Sequence, residues 1–370
     1  MPDNTLTFAG RGPGTTHSLT WASFGDRKAR PHVHVQGGLH ADEGPGMLTA
    51  RMLADRLAEE EAAGRLVGHV TVLPAANPMG LGQFIHGDIT GRFDLYDGRN
   101  FNRAFPDLAE AAAVHLKGRL GPDAARNTAL VRDALLAALV DSPPVDPADA
   151  LRHALLRLAI PADVVLDLHC DGEAEVHLYT QPTSLDAMRP LAALTGCRAL
   201  LVAEVSGGNP FDEAVVRPWL DLAQRFPDHP IPPACASCTL ELRGRADVSR
   251  SLAAHDAEAI LDYLHHLGVV EGAVNLPAPA CEPTPLAGSE ALIAPVAGLL
   301  SYSVSLGDQV TAGQTVAEIT DPLSGTVHPV CAGTSGVFFA RPATRIAEVG
   351  KRLGKIAGAH AFRHGPLLSP

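Results

Sequence analysis

His40 and Glu43, three residues apart, are the first pair in this chain whose types and spacing could do chemistry. A neutral imidazole and a carboxylate on one tight loop can share a zinc ion, although such a pair on its own is also what an ordinary solvated loop carries. His169 ends the run Asp163-Val164-Val165-Leu166-Asp167-Leu168, which reads as a strand buried on both faces. It is either a third ligand or a core histidine held by a backbone carbonyl. Asp167 could orient a nearby group, because a ligating imidazole usually donates its second N–H to an acceptor. Glu241 stands between Leu240 and Leu242, where an acid is rarely buried without a partner or a task. It reads either as a general base with a raised pKa or as half of an ion pair with Arg243 or Arg245.

Residues 79–106 lack helical periodicity and carry Arg92, Arg99, Asn102 and Arg103. Long irregular loops in compact domains are often functional. Asn102 and Arg103 lie between Phe101 and Phe105, so part of this stretch must fold back onto the core. An arginine fixed there would suit bidentate capture of a carboxylate. A solvated basic loop is the alternative, for Arg99 in particular.

The elements that must position these groups are legible around them. His32-Val33-His34-Val35 alternates as a strand and breaks at Gly37-Gly38. Pro45 suits the first position of a helix, and Met47, Ala50, Leu53, Ala54 and Leu57 recur at helical spacing. His40 and Glu43 therefore sit beyond the carboxyl end of a strand, where open α/β sheets hold ligands. Strands are expected at 69–74, 199–203 and 238–244, and helices at 107–117, 128–140, 148–159 and 254–267. Residues 1–31, with Gly10, Gly12 and Gly14, read as an N-terminal arm. Cys235 and Cys238 read as two small residues entering a strand rather than as a redox or metal pair.

At 370 residues, two domains are expected. A formal net charge of −12 argues against nucleic acid or an anionic membrane as partner. No apolar run is long enough for a membrane span and no secretory signal opens the chain, so the expected location is cytoplasmic. Residues 275–287 are proline-rich and read as an extended linker. Beyond them, short apolar runs with turn signals describe a small all-β unit.

Four segments resemble the succinylglutamate desuccinylase/aspartoacylase family of the zinc carboxypeptidase-like superfamily. They are Gly38-Leu39-His40-Ala41-Asp42-Glu43, Asn100-Phe101-Asn102-Arg103-Ala104-Phe105-Pro106, Asp167-Leu168-His169 and Leu240-Glu241-Leu242-Arg243-Gly244, in the family's order. The resemblance implies a three-layer α/β/α catalytic domain with a mixed sheet over residues 1–274, then the linker 275–287. Residues 288–370 resemble a lipoyl/biotinyl-like barrel-sandwich, but the turn Thr320-Asp321-Pro322-Leu323 has no lysine to acylate. That unit is expected to cap the active site or to mediate assembly, which is compatible with a homo-oligomer. By resemblance His40, Glu43 and His169 bind one zinc per chain. Glu241 is the general base that activates the water, Asn102 and Arg103 clamp the substrate carboxylate, and Arg92 or Arg99 polarises the scissile carbonyl. The expected activity is zinc-dependent hydrolysis of the amide of an N-acyl amino acid or a related small carboxylated amide. The alternative is a metallocarboxypeptidase acting on short peptides.

Overall fold

The apolar runs around the candidate residues become the central strands of one sheet. The computed structural model describes residues 4–368. In chain order the first half runs β1 (Asn4–Ala9), β2 (Thr16–Phe24), β3 (His32–Gly37), α1 (Gly44–Ala62), β4 (His69–Leu73), a short hairpin of β5 (Phe84–Ile85) and β6 (Asp88–Ile89), α2 (Ala109–Leu116), α3 (Ala124–Asp141) and α4 (Pro147–Ala159). There follow β7 (Val164–Asp171), β8 (Glu173–Ala174), β9 (His177–Thr180), α5 (Leu185–Leu194), β10 (Ala199–Val202), α6 (Phe211–Arg225), β11 (Ala236–Gly244), α7 (Arg250–His266) and β12 (Pro283–Pro285).

Nine of these strands form a mixed sheet in the order β1-β2-β4-β3-β7-β11-β9-β10-β12. β4, β3, β7 and β11 are parallel neighbours, and β9 runs antiparallel to β11. Helices α1, α5 and α7 pack on one face, burying Leu53, Leu57, Leu166, Leu168 and Ile260. Helices α2, α3, α4 and α6 cover the other, around Phe101, Leu155, Val165 and Trp219. Two apolar faces on one sheet explain why β7 reads as continuously hydrophobic. Alternation along β7 then puts Asp167 and His169 on the face of Val165.

Two expectations are corrected. The supposed N-terminal arm is β1 and β2, which extend the sheet antiparallel beyond β4. The proline-rich stretch is not free along its length, because Pro283–Pro285 pair parallel with β10 as the last strand. Proline is tolerated there because only one edge of the strand must pair. Helices α5 and α6 were not anticipated. Each carries an internal proline, Pro190 or Pro218, which ordinarily signals a helix end.

The C-terminal part forms two antiparallel sheets from β13 (Ser289–Ile293), β14 (Gly298–Tyr302), β15 (Gln309–Val310), β16 (Thr315–Thr320), β17 (Val327–Cys331), β18 (Gly336–Arg341), β19 (Ile346–Ala347) and β20 (Arg352–Gly358). The orders are β13-β20-β18-β15 and β17-β16-β14-β19, enclosing Leu300, Val316, Ile319, Phe338 and Ile356. This unit is not merely tethered. β8 pairs with β18 at Ala174↔Ala340, and Tyr179, Leu201, Phe339 and Ala357 share one apolar cluster. Among the described residues, no helix is long and apolar enough to cross a membrane.

Candidate metal centre and active-site cleft

Close backbone approach builds the cluster. Gly38 has φ +74°, and a side chain there would meet Met47. A Cβ on Gly46 would lie 2.6 Å from the Leu168 carbonyl oxygen. Only glycine lets the start of α1 approach β7 this closely. The approach brings Glu43, just before α1, onto His169 at the end of β7.

His40, Glu43 and His169 are all buried, and one ligand atom from each lies within 4.8 Å of the others. His40 Nδ1 is 3.0 Å from Glu43 Oε1, and His169 Nδ1 is 2.8 Å from Glu43 Oε2. The outer nitrogens fix the inner ones. Asn100 Oδ1 accepts the Asn102 backbone N–H at 2.9 Å, so it must also be the acceptor for His40 Nε2 at 2.8 Å. His40 then carries its proton on Nε2 and turns the Nδ1 lone pair inward. His169 Nε2 donates to Asp167 Oδ2 at 2.8 Å, and Asp167 in turn accepts from Gln36. Outward N–H groups held by acceptors, with inward Nδ1 atoms beside a carboxylate, fit a divalent metal. The Arg92 guanidinium already answers that inward demand for a cation. Its Nη1 donates to His40 Nδ1 and to Glu43 Oε1, both at 3.2 Å.

Charge follows from this packing. Burial lowers the His40 pKa, further aided by Arg92. Burial alone would raise Glu43, but the two imidazoles outweigh it and hold its carboxyl well below the ordinary range. For His169 burial is outweighed in the other direction, by Asp167 and Glu43, so its imidazole is raised well above its usual value.

One cleft collects Arg92, Asn102, Arg103 and Glu241 against these ligand candidates. Glu241 is partly open to it, and its buried Oε2 has no hydrogen-bond partner among the described residues. The ion-pair alternative drops out, because Arg243 pairs with Asp256 and Arg245 with Asp42. Burial, reinforced by the charge of Glu43, pushes the Glu241 carboxyl up to about 7. Asn102 Oδ1 accepts the Phe211 backbone N–H at the start of α6, 2.8 Å away. Its Nδ2 lies 3.4 Å from His169 Nε2.

Arg99 is placed elsewhere. Its guanidinium bonds Asp97 at 2.7 Å, Asp146, and Asp149 at 3.3 Å. It thus ties the loop to the start of α4 and stays out of the cleft, which corrects the substrate contact the sequence allowed it. Glu173, just after β7, is held by Arg341 and Arg345. Sequence reasoning missed Arg152, Asp212, Glu213 and Lys355. Arg152 is buried in α4 and donates to the carbonyls of Arg103 and Asn100 at 2.8 and 3.2 Å. Asp212 and Glu213 open α6 within the cleft, and Lys355 reaches it from β20. An acid in a first helical turn and a lysine in an apolar strand were the available signals.

Comparison with known proteins supports a hydrolase of the deacylase class. Residues 29–142 match the succinylglutamate desuccinylase/aspartoacylase catalytic domain. The chain is 25% identical over 339 residues to the N-alpha-acetyl-L-2,4-diaminobutyric acid deacetylase of Halomonas elongata, covering 88% of this chain and 82% of that protein. A solved structure assigned to the same family from Shewanella amazonensis superposes with a TM-score of 0.85 at 26% identity, over 96% of this chain and 98% of that one. One from Shewanella frigidimarina gives 0.83, also at 26%, over 96% of each. The catalytic-domain match and these solved structures thus point to the succinylglutamate desuccinylase/aspartoacylase family.

Proposed function

We propose that the protein is a zinc-dependent deacylase that hydrolyses the amide of an N-acyl amino acid, with His40, Glu43 and His169 holding one zinc. The observation that carries this reading is the set of inward donor atoms, fixed from behind by Asn100 and Asp167, in the same cleft as an unpaired carboxylate. A divalent ion there supplies Lewis acidity, acidifying water and polarising the acyl carbonyl. Three protein ligands rather than four is the catalytic pattern.

The chain's own residues do the rest. Glu241 takes a proton from the attacking water and returns it to the leaving amine, which a carboxyl near 7 suits. Arg92 presents a guanidinium to the developing oxyanion. Asn102 and Arg103 hold the substrate carboxylate. We further propose that residues 1–274 are the catalytic domain and that 288–370 are a non-carrier β domain capping the cleft. A lipoyl or biotinyl adduct found by mass spectrometry would overturn the non-carrier assignment.

The test is a hydrolysis screen of acetyl, succinyl and longer acyl amino acids beside short peptides, with zinc supplied. Turnover of N-acyl amino acids is expected, whereas turnover of peptides alone would make the protein a metallocarboxypeptidase. Glu241→Gln should retain zinc and lose roughly 10²- to 10⁴-fold in kcat. Full activity in that variant would remove Glu241 from the mechanism.

A further inference from the structure

The joint between the two parts of the chain holds a pair of thiols, far from the ligand candidates, that the hydrolysis does not use. Cys197 lies in the turn between α5 and β10, and Cys281 in the proline-rich stretch just before β12. β10 and β12 run parallel, with Leu200 opposite Pro283. Continuing that register backwards brings Cys281 beside Arg198 and Cys197. Cys281 packs against the apolar cluster that contains Cys197, and the two thiols, both free, hydrogen-bond each other.

Their surroundings differ. Cys197 is fully buried, with its sulfur 3.1 Å from the Ala199 carbonyl oxygen. Cys281 is half-buried and lines a pocket between the edge of the large sheet and the C-terminal unit, together with Arg198, Thr284, Gln309 and Ser335. Arg198 Nε and Thr284 Oγ1 are buried with no hydrogen-bond partner among the described residues. Buried donors left unpaired are costly, and a small oxidant with acceptor oxygens would satisfy them. The hydrogen bond from Cys197 outweighs burial and, with the Leu200 backbone N–H and the Arg198 charge, draws the Cys281 thiol below its ordinary value. The same bond, added to burial, raises Cys197 well above its own. Thiolates rather than thiols are nucleophiles, so Cys281 is the attacking sulfur and Cys197 the resolving one.

We infer that Cys281 and Cys197 form a reversible disulfide when the protein meets a hydroperoxide, fastening the C-terminal unit to the sheet. The Cys281 thiolate attacks one oxygen of hydrogen peroxide and the O–O bond breaks. The hydroxide that leaves takes up the proton Cys281 gave away, and a sulfenic acid remains. The Cys197 sulfur then attacks that sulfur, so that the S–S bond forms and the S–O bond breaks. Hydroxide departs as water with the Cys197 proton. Two thiols are oxidised and one peroxide is reduced to two waters. Sulfurs already in hydrogen-bonding contact need little movement to join, and closing so long a loop restricts the unfolded chain.

The full reduced chain is treated with hydrogen peroxide, quenched with an alkylating agent and mapped without reduction, using proteases that separate Cys281 from Cys331. A linked Cys197–Cys281 peptide pair is expected, lighter by two hydrogens than its separate halves and abolished by a dithiol reductant. Cys331, exposed to solvent, is the internal reference. Cys281 is expected to be consumed before it, despite its lower exposure. The oxidised chain should melt a few degrees above the reduced one, and Cys281→Ser should lose both the linked pair and that shift. Oxidation of Cys331 first, or Cys281 driven to sulfinic acid while Cys197 still takes the alkylating agent, overturns the inference. A linked pair that leaves the melting temperature unchanged overturns the fastening. Should Cys281→Ser fold poorly, Cys197→Ala serves instead, and Cys281 is then expected to stop at a sulfenic acid that a dione probe traps.

Discussion

Asp167 shows how a residue that need not touch substrate can govern the site. It sits two positions before His169 on the same side of β7, accepts the outer N–H of that imidazole, and is itself held by Gln36. Without it, His169 keeps its place in the strand but loses the acceptor that fixes its tautomer and ring angle. Asp167→Ala is therefore expected to weaken zinc binding roughly 10- to 100-fold, measured by competition with a chromogenic chelator. Unchanged affinity would separate Asp167 from the metal centre. Asn100 performs the matching service for His40, and its oxygen is identified by the backbone N–H it accepts.

At the scale of elements, the question is what holds an irregular loop steady enough to carry Arg92, Asn102 and Arg103. Phe101 and Phe105 anchor it apolarly, at 1% and 3% exposure. Its polar anchor is Arg152 of α4, buried to the same degree, which takes up two loop carbonyls and also bonds Asp149 at 3.0 Å. Arg152→Met would fill much of the volume but leave those carbonyls unsatisfied, at about 1–3 kcal/mol each. The loop should then lose register at Asn102 and Arg103. KM for a carboxylate-bearing substrate is expected to rise by more than kcat falls. A variant that melts earlier yet keeps both kinetic constants would show that Arg152 stabilises the loop without positioning it. Arg99, bonded to α4 by its aspartates, serves the same fastening from the loop's side.

For the molecule as a whole, the informative contact is the one that joins its two parts inside the cleft. Lys355 Nζ, from β20, lies 2.6 Å from Asp171 Oδ2 at the end of β7 and 3.2 Å from the Tyr179 hydroxyl. Removing one partner from such a buried pair costs about 3–5 kcal/mol, so Lys355→Met should lower the unfolding free energy by an amount of that order. The pH dependence has a definite sign. Burial would raise the Asp171 carboxyl, but Lys355 outweighs it and holds it well below its unfolded value. The pair's contribution is therefore complete above about pH 4 and is lost as pH falls through the depressed folded value. Urea unfolding should show the two proteins far apart near neutrality and converging in acid. A gap that stays constant with pH would mean the pair is not the source. The same contact argues for treating the C-terminal sheets as a wall of the cleft rather than an appendage.

The local order of residues was enough to mark His40 and Glu43 beyond one strand, His169 at the tip of another, and Glu241 within a third, because strand alternation and helix-start chemistry are local rules. It was also enough for the apolar character of β7, which follows from helices on both faces. Tertiary structure alone decided that Arg92 faces the cluster while Arg99 is spent on three aspartates, since each arginine's partner lies in a distant part of the chain or across a turn. It decided too that residues 4–24 complete the sheet, that Pro283–Pro285 add its last strand, and that an acidic pair on α6 lines the same cleft. Pairing and charge compensation are long-range. A residue's own neighbours in sequence record what it can do, and only the folded chain settles which partner it meets.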